Sequence, residues 1–182
     1  MSKAIGMAEY QTVSTGVKAA DIMVKTADVD IIEAQVVCPG KYTVLITGEL
    51  SAVRAAIDAA KGVQGSKMID SFVLGNPDES IFPAIYGANP VENPSALGVL
   101  ETFSAASIIV AADMAAKTAE VQLIELRIAK GMCGKSYMYI TGSVSAVQAA
   151  IERAEQEVAG GGMFLDSSVI ANPDSKMWEQ IL

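Results

Sequence analysis

Apolar residues run from Ile5 through Met7 to the edge of a Thr/Ser/Gly stretch, Thr12 to Gly16, a pattern that predicts a strand ending there. Val17, Ala20, Val24 and Ala27 then recur at helical spacing. Ile31 to Val37 is rich in β-branched residues and is broken by Cys38-Pro39-Gly40, and Tyr42 to Thr47 is a second such run closed by Gly48. Two strands around a tight connection follow. Ser51 is placed to cap a second helix, whose Val53, Ala56, Ile57 and Ala60 fall at i, i+3, i+4 and i+7. Ser71 to Leu74 predicts a short closing strand. The unit reads β-α-β-β-α-β, a recurring plan of α/β (α+β) sandwiches, with alanines letting the helices lie close on the sheet.

The same pattern returns. Ala4-Ile5-Gly6-Met7-Ala8-Glu9 reappears as Ala96-Leu97-Gly98-Val99-Leu100-Glu101, an offset of 92, as do Ala19-Ala20-Asp21 and Lys25-Thr26-Ala27 at Ala111-Ala112-Asp113 and Lys117-Thr118-Ala119. The offset becomes 94 at Gly134-Lys135, after two inserted residues, and 96 where Asn76-Pro77-Asp78 returns as Asn172-Pro173-Asp174. Val147, Ala150, Ile151 and Ala154 copy the second helix, and Ser168 to Ile170 the closing strand. The chain is a tandem duplication, with domains expected over residues 1–92 and 93–182. Pro77, Pro83, Pro90 and Pro94 mark an extended linker with one ordered segment around Ile81 to Tyr86.

Composition narrows the chemistry. With 182 residues, 51% of them apolar, a folded chain is expected. It has no histidine, which removes the commonest general base, Ser/His and Cys/His nucleophile pairs and His-bearing zinc sites. A net charge of −8 has the wrong sign for binding a phosphate backbone, so nucleic acid is not an expected partner. The stretch around Ala105 to Ala112 is far shorter than the ~20 apolar residues a bilayer crossing needs, and Met1 to Gly6 has no apolar signal core, so neither membrane insertion nor export is expected. Cys38 and Cys133 in a cytosolic setting argue against a disulfide framework and leave buried thiols or metal ligation.

The block Ala19 to Val29, followed by a hairpin with a Gly-Lys tip and then Gly48-Glu49-Leu50-Ser51-Ala52-Val53-Arg54-Ala55-Ala56, resembles the bacterial microcompartment (BMC) shell domain, and the second copy resembles it equally. Nearly the whole chain is covered. The resemblance implies two tandem BMC domains, each a ferredoxin-like β-α-β-β-α-β sandwich in unpermuted strand order, in a pseudo-hexameric homotrimer of the microcompartment shell. It also implies a structural tile rather than an enzyme. Within the family the chain is most similar to the propanediol-utilisation type with a cysteine in the first pore loop. There, three copies of that cysteine hold one 4Fe-4S cluster on the threefold axis, and Cys38 stands at the matching position. Such a cluster normally takes four thiolates, so a trimer would leave one iron to water or a small ligand.

The pore loops implied are Val37, Cys38, Pro39 and Gly40 in the first repeat and Met132, Cys133 and Gly134 in the second. Cys133 aligns with Pro39 rather than Cys38 and is expected to be a buried small apolar residue. Lys25 and Lys117 match the family lysine at the tile edge, where symmetry mates of neighbouring tiles meet; a plain exposed helix lysine is the simpler alternative. The turns at Asn76-Pro77-Asp78 and Asn172-Pro173-Asp174 depart from the Arg-Pro type of many members. Other shell proteins and encapsulated redox enzymes are the implied partners, and electron or cluster transfer across the shell the implied function. Two alternatives stand beside it: a metabolite-conducting pore without a cluster, and a soluble ferredoxin-like regulator that binds an effector. Glu9 with Glu101, and Glu33 with Glu125, read as surface or interface polarity rather than acid/base pairs. Gly160-Gly161-Gly162 reads as a helix exit, and Met177-Trp178 as an anchor docking a short tail onto the body.

Overall fold

The computed structural model describes residues 4–62 and 67–182. They form two compact units: one from the chain up to Pro77 with Ser104–Ser107 and Ala129–Gly134, the other from Asp78–Phe103, Ile108–Ile128 and Lys135–Leu182.

The first repeat runs β1 (Ala4–Tyr10), α1 (Val13–Thr26), β2 (Val29–Val37), β3 (Lys41–Gly48), α2 (Leu50–Lys61) and β4 (Met68–Leu74). After α3 (Ile81–Ile85), the second gives β5 (Ala96–Thr102), α4 (Ala105–Thr118), β6 (Val121–Ile128), β7 (Ser136–Gly142), α5 (Val144–Ala159) and β8 (Phe164–Ile170), and α6 (Ser175–Ile181) ends the chain. The two antiparallel sheets have the orders β2-β3-β1-β4 and β6-β7-β5-β8, so the β-α-β-β-α-β plan is present twice. Even the irregularities recur: register shifts fall at Ile31/Glu33 and Leu123/Glu125, and at Glu9/Tyr10 and Glu101/Thr102. Central strand β1 is buried along its whole length, and the Tyr10 hydroxyl donates to Ala60 O at 2.9 Å. Burial pushes that phenol up to about 12.

The helices follow the expected spacing with two corrections. On α2 the buried face is Val53, Ala56, Ile57 and Ala60, as the pattern predicts, and α5 repeats it with Val147, Ala150, Ile151 and Ala154. On α1, however, Val17 and Val24 are exposed, and the inner face is Thr15, Gly16, Ala19, Ala20 and Met23. Those small residues let the helix sit close to the sheet, which outweighs the greater hydrophobicity of the valines. The second correction concerns Ser51, which does not cap α2. The backbone is extended only as far as Glu49, so Ser51 already lies inside the helix. In the second repeat the position equivalent to Glu49 is Ser143, whose Oγ accepts the Ala146 N–H.

Strands β4 and β8 extend further towards the N-terminus than the apolar runs predict, because their half-buried faces interrupt the hydrophobic pattern. The linker carries its ordered segment as α3, with Ile81, Ala84 and Ile85 buried. Gly160–Gly162 follow the end of α5, Gly162 with φ +71°. The tail departs from expectation: Met177-Trp178 lie in a helix, but no residue of α6 is buried.

Candidate functional site

The sequence-predicted loop of the first repeat is a tight turn between β2 and β3. Val37 is buried at its root, while Cys38, Pro39 and Gly40 are exposed. The Gly40 N–H donates to Val37 O at 2.9 Å, and Gly40 adopts φ +109°, a conformation that costs a side-chain-bearing residue roughly 1–2 kcal/mol. The thiol is free and outward. Val36, Val37, Cys38, Pro39, Gly40, Lys130 and Gly131 line a shallow, mainly apolar depression around it.

The Ala129–Gly134 loop belongs to the same compact unit and braces this turn. Cys38 donates its N–H to Ala129 O at 3.3 Å, and Lys130 Nζ lies 3.1 Å from Glu33 Oε1. Gly134, at φ +87°, donates no side chain to the contact: a Cβ there would sit 2.8 Å from Lys41 Cε and 3.1 Å from Cys38 O. Met132 is half-buried in the same loop. Cys133 is exposed at φ +52°, not buried as expected, because the inserted residues carry the loop out into a left-handed turn.

Beneath the turn lies a polar cluster that the sequence did not announce. Lys41 Nζ donates to Glu9 Oε1 at 2.9 Å and to Gly134 O at 3.1 Å. Glu9 is 0% exposed, so of the surface or interface polarity expected for it the surface alternative fails, and its Oε2 accepts the Ala105 N–H at 2.8 Å at the start of α4. Burial raises its pKa above the usual 4.5, opposed by the hydrogen bond and charge of Lys41 and by the Ala105 N–H. Asp70 Oδ2 accepts the hydroxyls of Ser104 and Ser107, each at 2.5 Å. A carboxylate in the first repeat thus caps a helix of the second. The only signal for this in the sequence was the retention of Glu9 and of Asp70-Ser71 in both repeats. Of the other recurring pair, Glu33 meets Lys130 of the second repeat, whereas Glu125 has local partners, Arg127 at 2.6 Å and the Tyr137 hydroxyl at 2.9 Å, and burial followed by that hydrogen bond pushes the phenol up to about 12.

The two candidate edge lysines sit differently. Lys25 is exposed and pairs with exposed Asp21 at 2.7 Å. Lys117 pairs at 2.6 Å with Asp113, a nearly buried carboxylate that also accepts the Asp78 N–H at 2.7 Å. Among the described residues no three His, Cys, Asp or Glu side chains converge to hold a metal, and no helix is long and apolar enough to cross a membrane.

This duplicated sandwich with a cysteine-tipped hairpin defines a class. Residues 4–77 and 96–173 match the BMC domain, and the chain belongs to that family of structural microcompartment shell proteins. It is 38% identical over 182 residues to the bacterial microcompartment shell protein PduT of Citrobacter freundii, spanning 100% of this chain and 99% of that one. A microcompartment protein from Desulfitobacterium hafniense DCB has the same architecture, with TM-score 0.85 at 41% identity over 98% of this chain and 99% of the other. A fused permuted hexameric shell protein from the RMM microcompartment shares the fold alone, at TM-score 0.67 and 23% identity over 87% and 82% of the two chains. Here each repeat opens with an inner strand of its sheet, β1 and β5.

Proposed function

We propose that this shell protein is a homotrimeric, pseudo-hexameric tile in which Cys38 of each chain ligates one 4Fe-4S cluster at the central pore. The observation that carries the reading is the free, outward thiol at the tip of the braced β2–β3 turn. It is joined by the resemblance to tandem shell proteins with a cysteine in the first pore loop and by 38% identity to PduT along the whole chain.

Among the described residues one chain brings no three His, Cys, Asp or Glu side chains together, so the thiol fits a cluster where copies meet. Three thiolates then leave one iron position for water or a small ligand, and the bound group supplies one-electron chemistry across the shell, or is itself exchanged. Val36, Val37 and Pro39 give the thiol an apolar surround, and the Ala129–Gly134 loop fixes its backbone. Encapsulated redox enzymes are the partners this use requires, besides other BMC shell proteins. Membership of the shell family favours the tile over a soluble effector-binding regulator.

The test is an anaerobic count of iron and sulfide per trimer with the visible spectrum of the protein. About four irons per trimer and a visible thiolate-to-iron band are expected, and both disappear in Cys38→Ser while the trimer persists. Colourless, iron-free wild-type protein after reconstitution would overturn the cluster and leave the metabolite-conducting pore.

A further inference from the structure

Strands β2 and β6 are copies of one another, and the loops that follow them begin with chemically different residues. The ladders fix the correspondence. Val29 opposes Gly48 and Val36 opposes Tyr42 in the first repeat, while Val121 opposes Gly142 and Ile128 opposes Ser136 in the second. Val37 and Ala129 come next, so Cys38 and Lys130 are counterparts, each opening its loop when counted from the incoming strand. Counted from the outgoing strand, Cys133 matches Pro39, and the two inserted residues therefore fall between Lys130 and Cys133. The duplication has placed an ammonium where its other half has a thiol.

The two counterparts also meet. The Cys38 N–H donates at 3.3 Å to Ala129 O, the carbonyl of the peptide that joins Ala129 to Lys130. Ala129 is fully buried and takes φ +57°, a left-handed conformation that a residue with a side chain seldom adopts, so the chain enters Lys130 through a fixed turn. Among the described residues lining the depression around the thiol, Lys130 is the one with a charged side chain. Apart from Cys38 the rest are valine, proline and glycine, an apolar wall against which a charge is screened less than in bulk water.

A second ammonium stands near the turn, but it is already committed. Lys41 is 16% exposed, its charge is met by Glu9 at 2.9 Å, and Gly134 O accepts a further N–H from it. Lys130 is 44% exposed and pairs at 3.1 Å with Glu33, whose side chain is 19% exposed. Partly exposed pairs of this kind are weakly held, so this ammonium is able to turn toward a stronger negative charge. Such a charge arises where thiolates of several copies meet. Each copy that brings one Cys38 also brings one Lys130, so in a cyclic assembly ammonium groups and thiolates are equal in number.

We propose that Lys130 sets the charge of the Cys38 site, as a positioning rather than a ligating residue. Its ammonium draws anions to the thiol. It also stands against the negative charge of the thiolates and of the group they bind, which favours the reduced form of that group because reduction adds a negative charge. Glu33 opposes Lys130 in both effects. The effect on the bound group rests on the reading of Cys38 as a cluster ligand, whereas the effect on the thiol does not.

Two measurements on the full chain test this. The first uses iron-free protein in a Cys133→Ser background, where Cys38 is the remaining thiol. It compares a dianionic disulfide, dithiobis(nitrobenzoate), with neutral dithiodipyridine. In both reactions the Cys38 thiolate attacks one sulfur, the S–S bond breaks, a mixed disulfide forms and an aryl thiolate leaves. The ratio of the two rates cancels any change in thiolate fraction and reads the local charge. Lys130→Gln is expected to lower that ratio about threefold at low salt, and Glu33→Gln to raise it by a similar factor. Lys130→Arg should keep the wild-type ratio, and high salt should erase the differences. Lys61→Gln, which opens an exposed ion pair on α2, should change nothing. The second measurement holds iron-loaded protein at a fixed applied potential and follows its visible absorption. The ratio of oxidised to reduced protein is expected to be about threefold higher in Lys130→Gln than in wild type, and unchanged in Lys130→Arg. A rate ratio that Lys130→Gln leaves at the wild-type value, or that Lys61→Gln lowers equally, would overturn the inference and leave the cluster reading untouched. An oxidised-to-reduced ratio indifferent to Lys130→Gln would overturn its action on the bound group. Wild type that takes up no iron while the rate ratios shift as expected would instead overturn the cluster reading and uphold Lys130 at the thiol.

Discussion

Lys41 and Glu9 form an ion pair of 2.9 Å in which the carboxylate has no exposed surface, and the second oxygen of that carboxylate holds the main chain at Ala105. One buried charge thereby ties the foot of the Cys38 hairpin to the head of α4. Glu9→Ala takes the carboxylate away from a largely buried ammonium, which keeps Gly134 O, and from the Ala105 N–H, and is expected to lower unfolding free energy by about 3 kcal/mol. Denaturant titration at neutral pH measures it.

The same pair makes a pH prediction. Burial raises the folded-state value of Glu9 above 4.5, so the native state holds this proton more tightly than the unfolded chain. Stability from this group is fully present below pH 4.5 and is lost as pH rises through the folded value. The stability of wild type relative to Glu9→Gln should therefore fall as pH is raised from 4.5 and then level off. A difference that stays flat over that window would show that Lys41 and the Ala105 N–H cancel the burial completely.

Ser143 and Ser51 separate a true cap from a nominal one. Ser143→Ala removes the acceptor of the Ala146 N–H and is expected to cost about 1 kcal/mol. Ser51→Ala, inside α2 and exposed, should change stability by no more than about 0.5 kcal/mol. Thermal melts of the two variants side by side decide the matter.

Lys25 and Lys117 are predicted to part company despite their equivalence in sequence. Lys25→Ala breaks an exposed pair, so its stability cost stays under about 1 kcal/mol, and its expected phenotype is weaker two-dimensional sheets from intact trimers. Lys117→Ala removes the ion-pair partner of nearly buried Asp113, leaving it the Asp78 N–H, and should destabilise the fold more. Electron microscopy of sheets, read with unfolding curves, distinguishes the two effects. Normal sheets from Lys25→Ala would place the tile edge elsewhere.

Much of the architecture was legible in the linear pattern. Periods of two and of about four residues, punctuated by Gly and Pro, give the β-α-β-β-α-β order, and repetition at offsets of 92 to 96 gives the duplication. The Cys38-Pro39-Gly40 turn was legible because proline fixes φ and ends a strand, while glycine readily takes the positive φ that Gly40 adopts. By contrast, the inner face of α1 was not, since Gly16, Ala19 and Ala20 win through close approach and not through hydrophobicity. Nor was the exposure of Cys133, which the inserted loop decides.

What the sequence determined by itself was therefore local and periodic: which segments are strands or helices, that the unit occurs twice, and that a thiol stands at a hairpin tip. Tertiary structure alone decided which carboxylate is buried and what it holds. Glu9, Lys41 and Ala105 are brought together across 32 and 96 residues of chain, and no local propensity encodes that meeting. It also decided that equal sequences in the two repeats have unequal surroundings, so that Ile81 is buried while Met177 waits exposed. Burial depends on what lies opposite in space, and a repeat in one dimension does not specify its neighbours in three.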